Sequence, residues 1–204
     1  HQYMDSFQRA RRSRLDVMVK PQAVRTLAEV PMELPGWRLD HLYRLSDSTG
    51  IIQHACYTIP NFSEGYCTDD NARALLLTLL LEQMGNGSPQ TRRLASTYAA
   101  FLNFAFDREM HRFRNFMSFD RSWLEQSGSD DCQGRSLWTL GACVQRSKWR
   151  DLQAWASEIF DLALPAILDV PSPRAWAFAL LGVCHYLERL SGASHASQIR
   201  DTLM

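Results

Sequence analysis

The sequence predicts an all-α fold in which helical hairpins alternate between an inner and an outer layer. Apolar residues recur at helical spacing through successive segments from residue 37 onward. Segments apolar on one side alternate with segments apolar on nearly every side. No strand-like alternation of comparable length occurs. A helix that is apolar all round must be covered all round, whereas an amphipathic helix faces water. The alternation is therefore what two layers of hairpins, arranged as a ring, require.

Residues 1–36 read as a basic N-terminal helix or tether followed by a linker. Arg9, Arg11, Arg12, Arg14 and Lys20 oppose only Asp5 and Asp16, and Pro21, Pro31 and Pro35 interrupt continuous helix. The hairpin domain is expected over 37–204. Residues 37–46 carry a one-sided stripe of Leu39, Leu42, Tyr43 and Leu45. Residues 69–84 carry Leu75, Leu76, Leu77, Leu79, Leu80 and Leu81 and are apolar on nearly every face. The segment 89–106 is one-sided again, through Leu94, Tyr98, Phe101 and Leu102. Residues 131–146 are apolar over most of their surface, and 149–168 are one-sided. Residues 173–191 are apolar all round, and a last helix begins near Ala196. The inner helices thus begin near 69, 131 and 172, as in a long helical repeat. Phe113–Phe119 is irregular enough to form a β-ribbon within a loop.

Composition narrows the function. The 22 basic and 22 acidic residues cancel, which argues against a nucleic-acid-binding face over the whole domain. No apolar run reaches the roughly 18 residues of a membrane span. Residues 1–20 lack the apolar core of a secretory signal. The five cysteines form no CxxC pair and read as reduced thiols of a cytoplasmic protein, some of them small core residues; Cys143 and Cys184 sit in apolar helical stretches. No GxGxxG, P-loop or zinc spacing is present, since neither His54 nor His111 has a second His or Cys within helical reach. Neither a metal nor a cofactor is expected.

Chemistry concentrates where two inner helices open. Thr68-Asp69-Asp70-Asn71-Ala72-Arg73 and Ser129-Asp130-Asp131-Cys132-Gln133-Gly134-Arg135 share an N-cap residue, an acid pair and an arginine one turn later. Capping and the helix dipole explain one acid in each pair. They do not explain the second acid or the arginine. The third inner helix opens with Ser172-Pro173-Arg174 and lacks the acid pair. If these helices share one polarity, the acid pairs meet at one rim. Paired carboxylates across a cleft are the equipment of glycosidic-bond cleavage.

The long loops 46–67 and 107–128 feed that rim, whereas the connections at the other hairpin ends are short. Asp70 and Asp131 are the expected catalytic pair, with Glu125 and Asp47 as substitutes. A helix N-terminus lowers a carboxylate pKa, which suits a base better than an acid; Glu125 is the loop candidate for the acid. His54, Tyr66, Asp69, Arg73, Trp123, Asp130 and Arg135 are the expected substrate-binding residues. Cys67, at a helix N-terminus, is a weak candidate nucleophile.

The strings Gly65-Tyr66-Cys67-Thr68-Asp69-Asp70-Asn71-Ala72-Arg73-Ala74-Leu75 and Trp123-Leu124-Glu125, the latter followed by Ser129 to Trp138, resemble a bacterial domain found alone or behind GT-B-type glycosyltransferases. Its fold is similar to the six-hairpin (α/α) toroid of many glycosidases and polysaccharide lyases. The resemblance covers about residue 37 to the end and implies a partial (α/α)6 toroid, a carbohydrate ligand and a glycosyltransferase domain in the parent chain. The chain supplies fewer hairpins than a full ring, so inner helices are expected to expose apolar edges through which copies self-associate. The first expectation is therefore a carbohydrate-cleaving domain. The alternative is a non-catalytic module that binds glycan or docks a partner enzyme.

Overall fold

The structure is a computed structural model that describes residues 36–204. Leu39–Met204 forms one compact unit. The basic tether expected over the first residues lies outside the described residues. The unit Leu39–Met204 is mostly helical.

Its helices are α1 (Asp40–Leu45), α2 (Thr68–Gln83), α3 (Pro89–Ala105), α4 (Asp130–Arg146), α5 (Arg150–Ala163), α6 (Pro173–Arg189) and α7 (Ser194–Leu203). Each falls on a segment that apolar periodicity marks. The breaks follow turn chemistry. Ser88 and Thr91 close a capping box at the start of α3, with Pro89 at its first position. Pro165 turns the end of α5 into the 3-10 helix Pro165–Asp169. Ser172 caps α6 ahead of Pro173.

α4 packs between α2 and α6, and α3, α5 and α7 lie against α2, α4 and α6 respectively. One contiguous core joins the layers, with Leu75, Leu79, Leu102, Leu137, Leu140 and Phe160 fully enclosed. The approach of α4 to α6 is the tightest in the fold. A Cβ on Gly141 would stand 2.1 Å from the Gly182 carbonyl oxygen, and one on Gly182 would stand 2.3 Å from that of Leu137. Only glycine permits two helix backbones to come this close.

α4 is covered around its circumference, as its composition requires: Leu137, Leu140, Ala142, Cys143 and Val144 are all buried. α6 is different. Ala175, Ala179, Gly182 and Val183 are buried against α4, but Ala177, Leu181 and Cys184 face outward, with Leu181 45% exposed. Cys143 is thus a core residue, whereas Cys184 is not. The physical reason is position. α4 has an inner neighbour on each side, and α6 has one among the described residues. Leu80 on α2 and Met84 just past its end are likewise exposed.

Among the described residues, strand structure lies in the two long loops, with the strand Phe106–Asp107 starting one residue ahead of the second. β1 (Ala55–Cys56) pairs antiparallel with β2 (Ile59–Pro60), and β4 (Phe106–Asp107) with β5 (Arg112–Phe113). β3 (Tyr66–Cys67) pairs antiparallel with β6 (Phe116–Met117), with Tyr66 opposite Met117. The ribbon expected within Phe113–Phe119 therefore exists, but its partners come from outside it. The β3–β6 pair ties the two loops together. Gly65 makes the approach possible: its φ is +64°, and a Cβ there would stand 2.2 Å from the Met117 carbonyl oxygen.

Candidate functional site

The loops 46–67 and 107–128 converge on the N-terminal ends of α2 and α4, and buried amides hold them there. Asn71 accepts the Ile51 N–H at 3.0 Å and donates to the Cys67 carbonyl at 2.9 Å. Gln133 accepts the Phe113 N–H at 3.1 Å and donates to the Ala163 carbonyl at 2.9 Å and the His111 carbonyl at 3.3 Å. Both side chains are essentially inaccessible. They occupy the same position, four residues after the N-cap residues Cys67 and Ser129. The matching residue of α6 is Trp176, whose indole N–H donates to the Val170 carbonyl at 2.6 Å. Each inner helix thus grips the chain that enters it with a side-chain N–H one turn in.

This register corrects the sequence reading. Thr68 is not the N-cap of α2; its hydroxyl donates to the Arg114 carbonyl at 2.6 Å, leaving Cys67 at the cap position. Ser129 does cap α4, accepting the Cys132 N–H at 3.2 Å. Counted from the caps, the counterpart of Asp131 is Asp69, and the counterpart of Asp70 is the buried Cys132.

Carboxylates and guanidiniums alternate across the helix openings. Arg73 pairs with Asp70 and lies 3.9 Å from Asp69. Asp69 receives Arg135 from α4 at 2.6 Å. Arg135 lies 3.8 Å from Asp131, which receives Arg174 from α6 at 2.7 Å. The Arg135 guanidinium also sits over the Phe178 ring, 4.7 Å from its centroid. The two acid pairs therefore meet at one rim, with Arg174 as a third contributor. Asp130 turns aside to Arg112 at 3.3 Å. Arg174 is missing from the residues picked out by sequence. Its position, the second of an inner helix like Asp69 and Asp131, was the available signal.

The remaining candidates take other places. Asp47 is a loop organiser: Oδ1 accepts the Thr49 and Gly50 N–H groups, and Oδ2 accepts the Tyr66 hydroxyl at 2.6 Å. Tyr66 is only 1% exposed and has no ring face to offer a ligand. Its phenol is pushed up to about 12 by burial and by the Asp47 carboxylate. Glu125 Oε1 accepts the N–H groups of Asn115 at 2.8 Å and Phe116 at 3.2 Å, so it braces the second loop. Trp123 packs edge-on to Phe101 and beside Phe104, with Arg114 over its ring. His54 is exposed, and its charge favours ionised Asp70. The aromatic side chains exposed on these loops include Phe62 and Phe119, which stack at 4.5 Å, together with Tyr57 and Phe116.

At Asp70 the electrostatics depart from the dipole expectation. Burial raises the pKa of Asp70; the neighbouring Arg73 opposes this and the Asp69 charge adds to it. Burial also pushes the Cys67 thiol up to about 12, where its donated bond to Asn115 Oδ1 at 3.1 Å keeps it a neutral thiol. A thiolate nucleophile is therefore not formed there. Among the described residues, no group of three or more His, Cys, Asp or Glu could hold a metal ion. No helix of the described residues is long and apolar enough to cross a membrane.

Comparison with protein-family models, with curated proteins and with solved structures finds no match to this chain.

Proposed function

We propose that the unit Leu39–Met204 is an arc of an (α/α) toroid and that its N-terminal rim binds carbohydrate. The observation that supports this reading is the continuous row Arg73–Asp70/Asp69–Arg135–Asp131–Arg174, drawn from α2, α4 and α6. Planar carboxylates and guanidiniums hydrogen-bond adjacent sugar hydroxyls, and the Phe62–Phe119 pair offers apolar ring surface at the same end. Binding fits the geometry better than cleavage. A glycosidase needs one carboxyl that keeps a proton and another free to attack or to activate water. Here Asp131 is held by Arg174 and Arg135, Asp47 by its loop and Glu125 by backbone N–H groups.

A second reading, cleavage, rests on Asp70. Its raised pKa suits a general acid, with Asp131 as base once a substrate displaces Arg174. One experiment tests both. The chain and its Asp70→Asn/Asp131→Asn variant are screened by thermal shift against a panel of oligosaccharides. A sugar that raises the melting temperature of the native chain by several degrees, and that of the variant by much less, supports a site at the row. Product release by the native chain, lost in Asp70→Asn with binding retained, supports cleavage. A folded chain that responds to no sugar defeats both readings.

A further inference from the structure

We propose that the ligand of this rim is an acidic saccharide, an oligouronate whose carboxylates are taken by Arg73 and Arg174. The proposal rests on the sugar-binding reading above and names the class of sugar. The row is layered in depth. The side chains of Asp69, Asp70 and Asp131 are 18%, 24% and 17% exposed, and that of Arg135 is 20% exposed. Those of Arg73 and Arg174 are 53% and 73% exposed. The carboxylates of the row therefore lie beneath and two of its guanidiniums lie above. A ligand arriving from solvent meets guanidinium before it meets carboxylate.

The two outer guanidiniums are also held in a way that leaves one edge for a ligand. Arg174 uses Nε and Nη2 on Asp131, at 3.0 and 2.7 Å. Arg73 uses Nη2 on Asp70 and Nε on the Asp69 carbonyl at 3.4 Å. In both, Nη1 makes no bond to any described residue. A guanidinium is a planar fork with five N–H donors and stays charged at any working pH. Two such forks, braced from below and carried on α2 and α6, present N–H groups outward from opposite sides of α4.

The N-terminal ends of α2, α4 and α6 add positive potential of the same sign. A neutral sugar can use these donors through its hydroxyl oxygens. A sugar carboxylate gains charge assistance at the same donors, roughly doubling the strength of each bond. The depth order thus selects for an anion, which a row of evenly exposed ion pairs would not do.

The test compares one sugar in two charge states. Calorimetric titration of the full chain uses tri-galacturonate and tri-glucuronate, each also as its methyl ester, which keeps the ring and removes the charge. The acid is expected to bind about tenfold more tightly than its ester at low salt. The ratio should shrink toward one in molar salt, because the outer guanidiniums are exposed. Arg73→Gln/Arg174→Gln should bring the ratio close to one, and Arg174→Lys should leave it intermediate, since the charge stays and the fork is lost. Acid and ester binding alike to the native chain would overturn the acidic class and leave the sugar-binding reading standing. Neither form binding, together with no response to neutral oligosaccharides, would overturn both. The native-chain salt series decides the question even if the double variant fails to fold.

Discussion

The two ends of α2, α4 and α6 use the same residue types to opposite effect. At the N-terminal end, acids and arginines from different helices pair in sequence, and the buried amides Asn71 and Gln133 hold long loops in place. At the C-terminal end the connections are short turns. There Arg146 donates to Gln83 at 2.7 Å and Gln145 donates to Glu188. Buried atoms with no partner among the described residues occur at both ends: Asp69 Oδ1, Arg112 Nε and Trp123 Nε1 at the first, and Gln145 Oε1, Arg146 Nε and His185 Nδ1 at the second. The cation Arg146 faces His185 and opposes its protonation, adding to the effect of burial. Long loops arrive with many backbone N–H and C=O groups that must be satisfied. The N-terminal end meets that demand with side chains, and the short turns of the other end impose much less of it. The difference explains why polar order concentrates on one rim.

The most damaging change should be one that breaks what both ends share. Gly182→Leu drives a side chain into the Leu137 carbonyl and separates α4 from α6. A loss of about 3 kcal/mol or more is expected, with both rims failing together in one thermal transition. Gly192→Leu, where nothing lies within 4 Å, should stay within about 0.5 kcal/mol and serves as the control.

A smaller change should separate the ends. Gln133→Leu strands the Phe113 N–H and removes two donated bonds to carbonyls, at a cost of about 2–3 kcal/mol. Hydrogen exchange should quicken through residues 107–128 before it changes at the opposite rim. Gln145→Leu removes one bond, to the exposed Glu188, and should cost less than about 1 kcal/mol. Equal losses from the two variants would break the comparison.

The smallest effect is one of sign. The folded-state pKa of Asp70 is raised above the ordinary aspartate value of 3.8, so the folded protein binds its proton more readily than the unfolded chain does. Through the acidic range above 3.8, acidification should therefore stabilise the native chain relative to Asp70→Asn. His185 is lowered from 6.5, so the unfolded chain takes that proton first. Acidification below 6.5 should therefore destabilise the native chain relative to His185→Gln. Melting temperatures of the three proteins across pH 4–7 read both slopes, and slopes of the same sign would contradict the assignment of burial as the main cause at each group.

Much of the helical layer could be read from the chain. Every helix of the described unit falls on a periodic segment, because helical spacing of apolar residues is a local property. The acid pairs were visible as repeated words, and their meeting at one rim followed from the alternation of layers. Their register was not visible. Thr68 looks like a cap until its hydroxyl is seen to bind Arg114, which is distant in sequence, and that displacement makes Asp69 rather than Asp70 the counterpart of Asp131. Tyr66 and Trp123 look like sugar-stacking rings, yet tertiary contacts bury the first and pack the second against Phe101 and Phe104.

By itself, the sequence determined where helices form, which of them carry apolar surface on several sides, and where charge gathers. Those properties depend on residues three or four apart and on local capping. The tertiary structure decided which charges pair, which aromatic faces reach water, and that α6 stays open on the side that α4 has covered. Those outcomes depend on which helix ends become neighbours. The α4–α6 seam sets this through glycines whose small size is visible in the chain but whose opposing backbone is not.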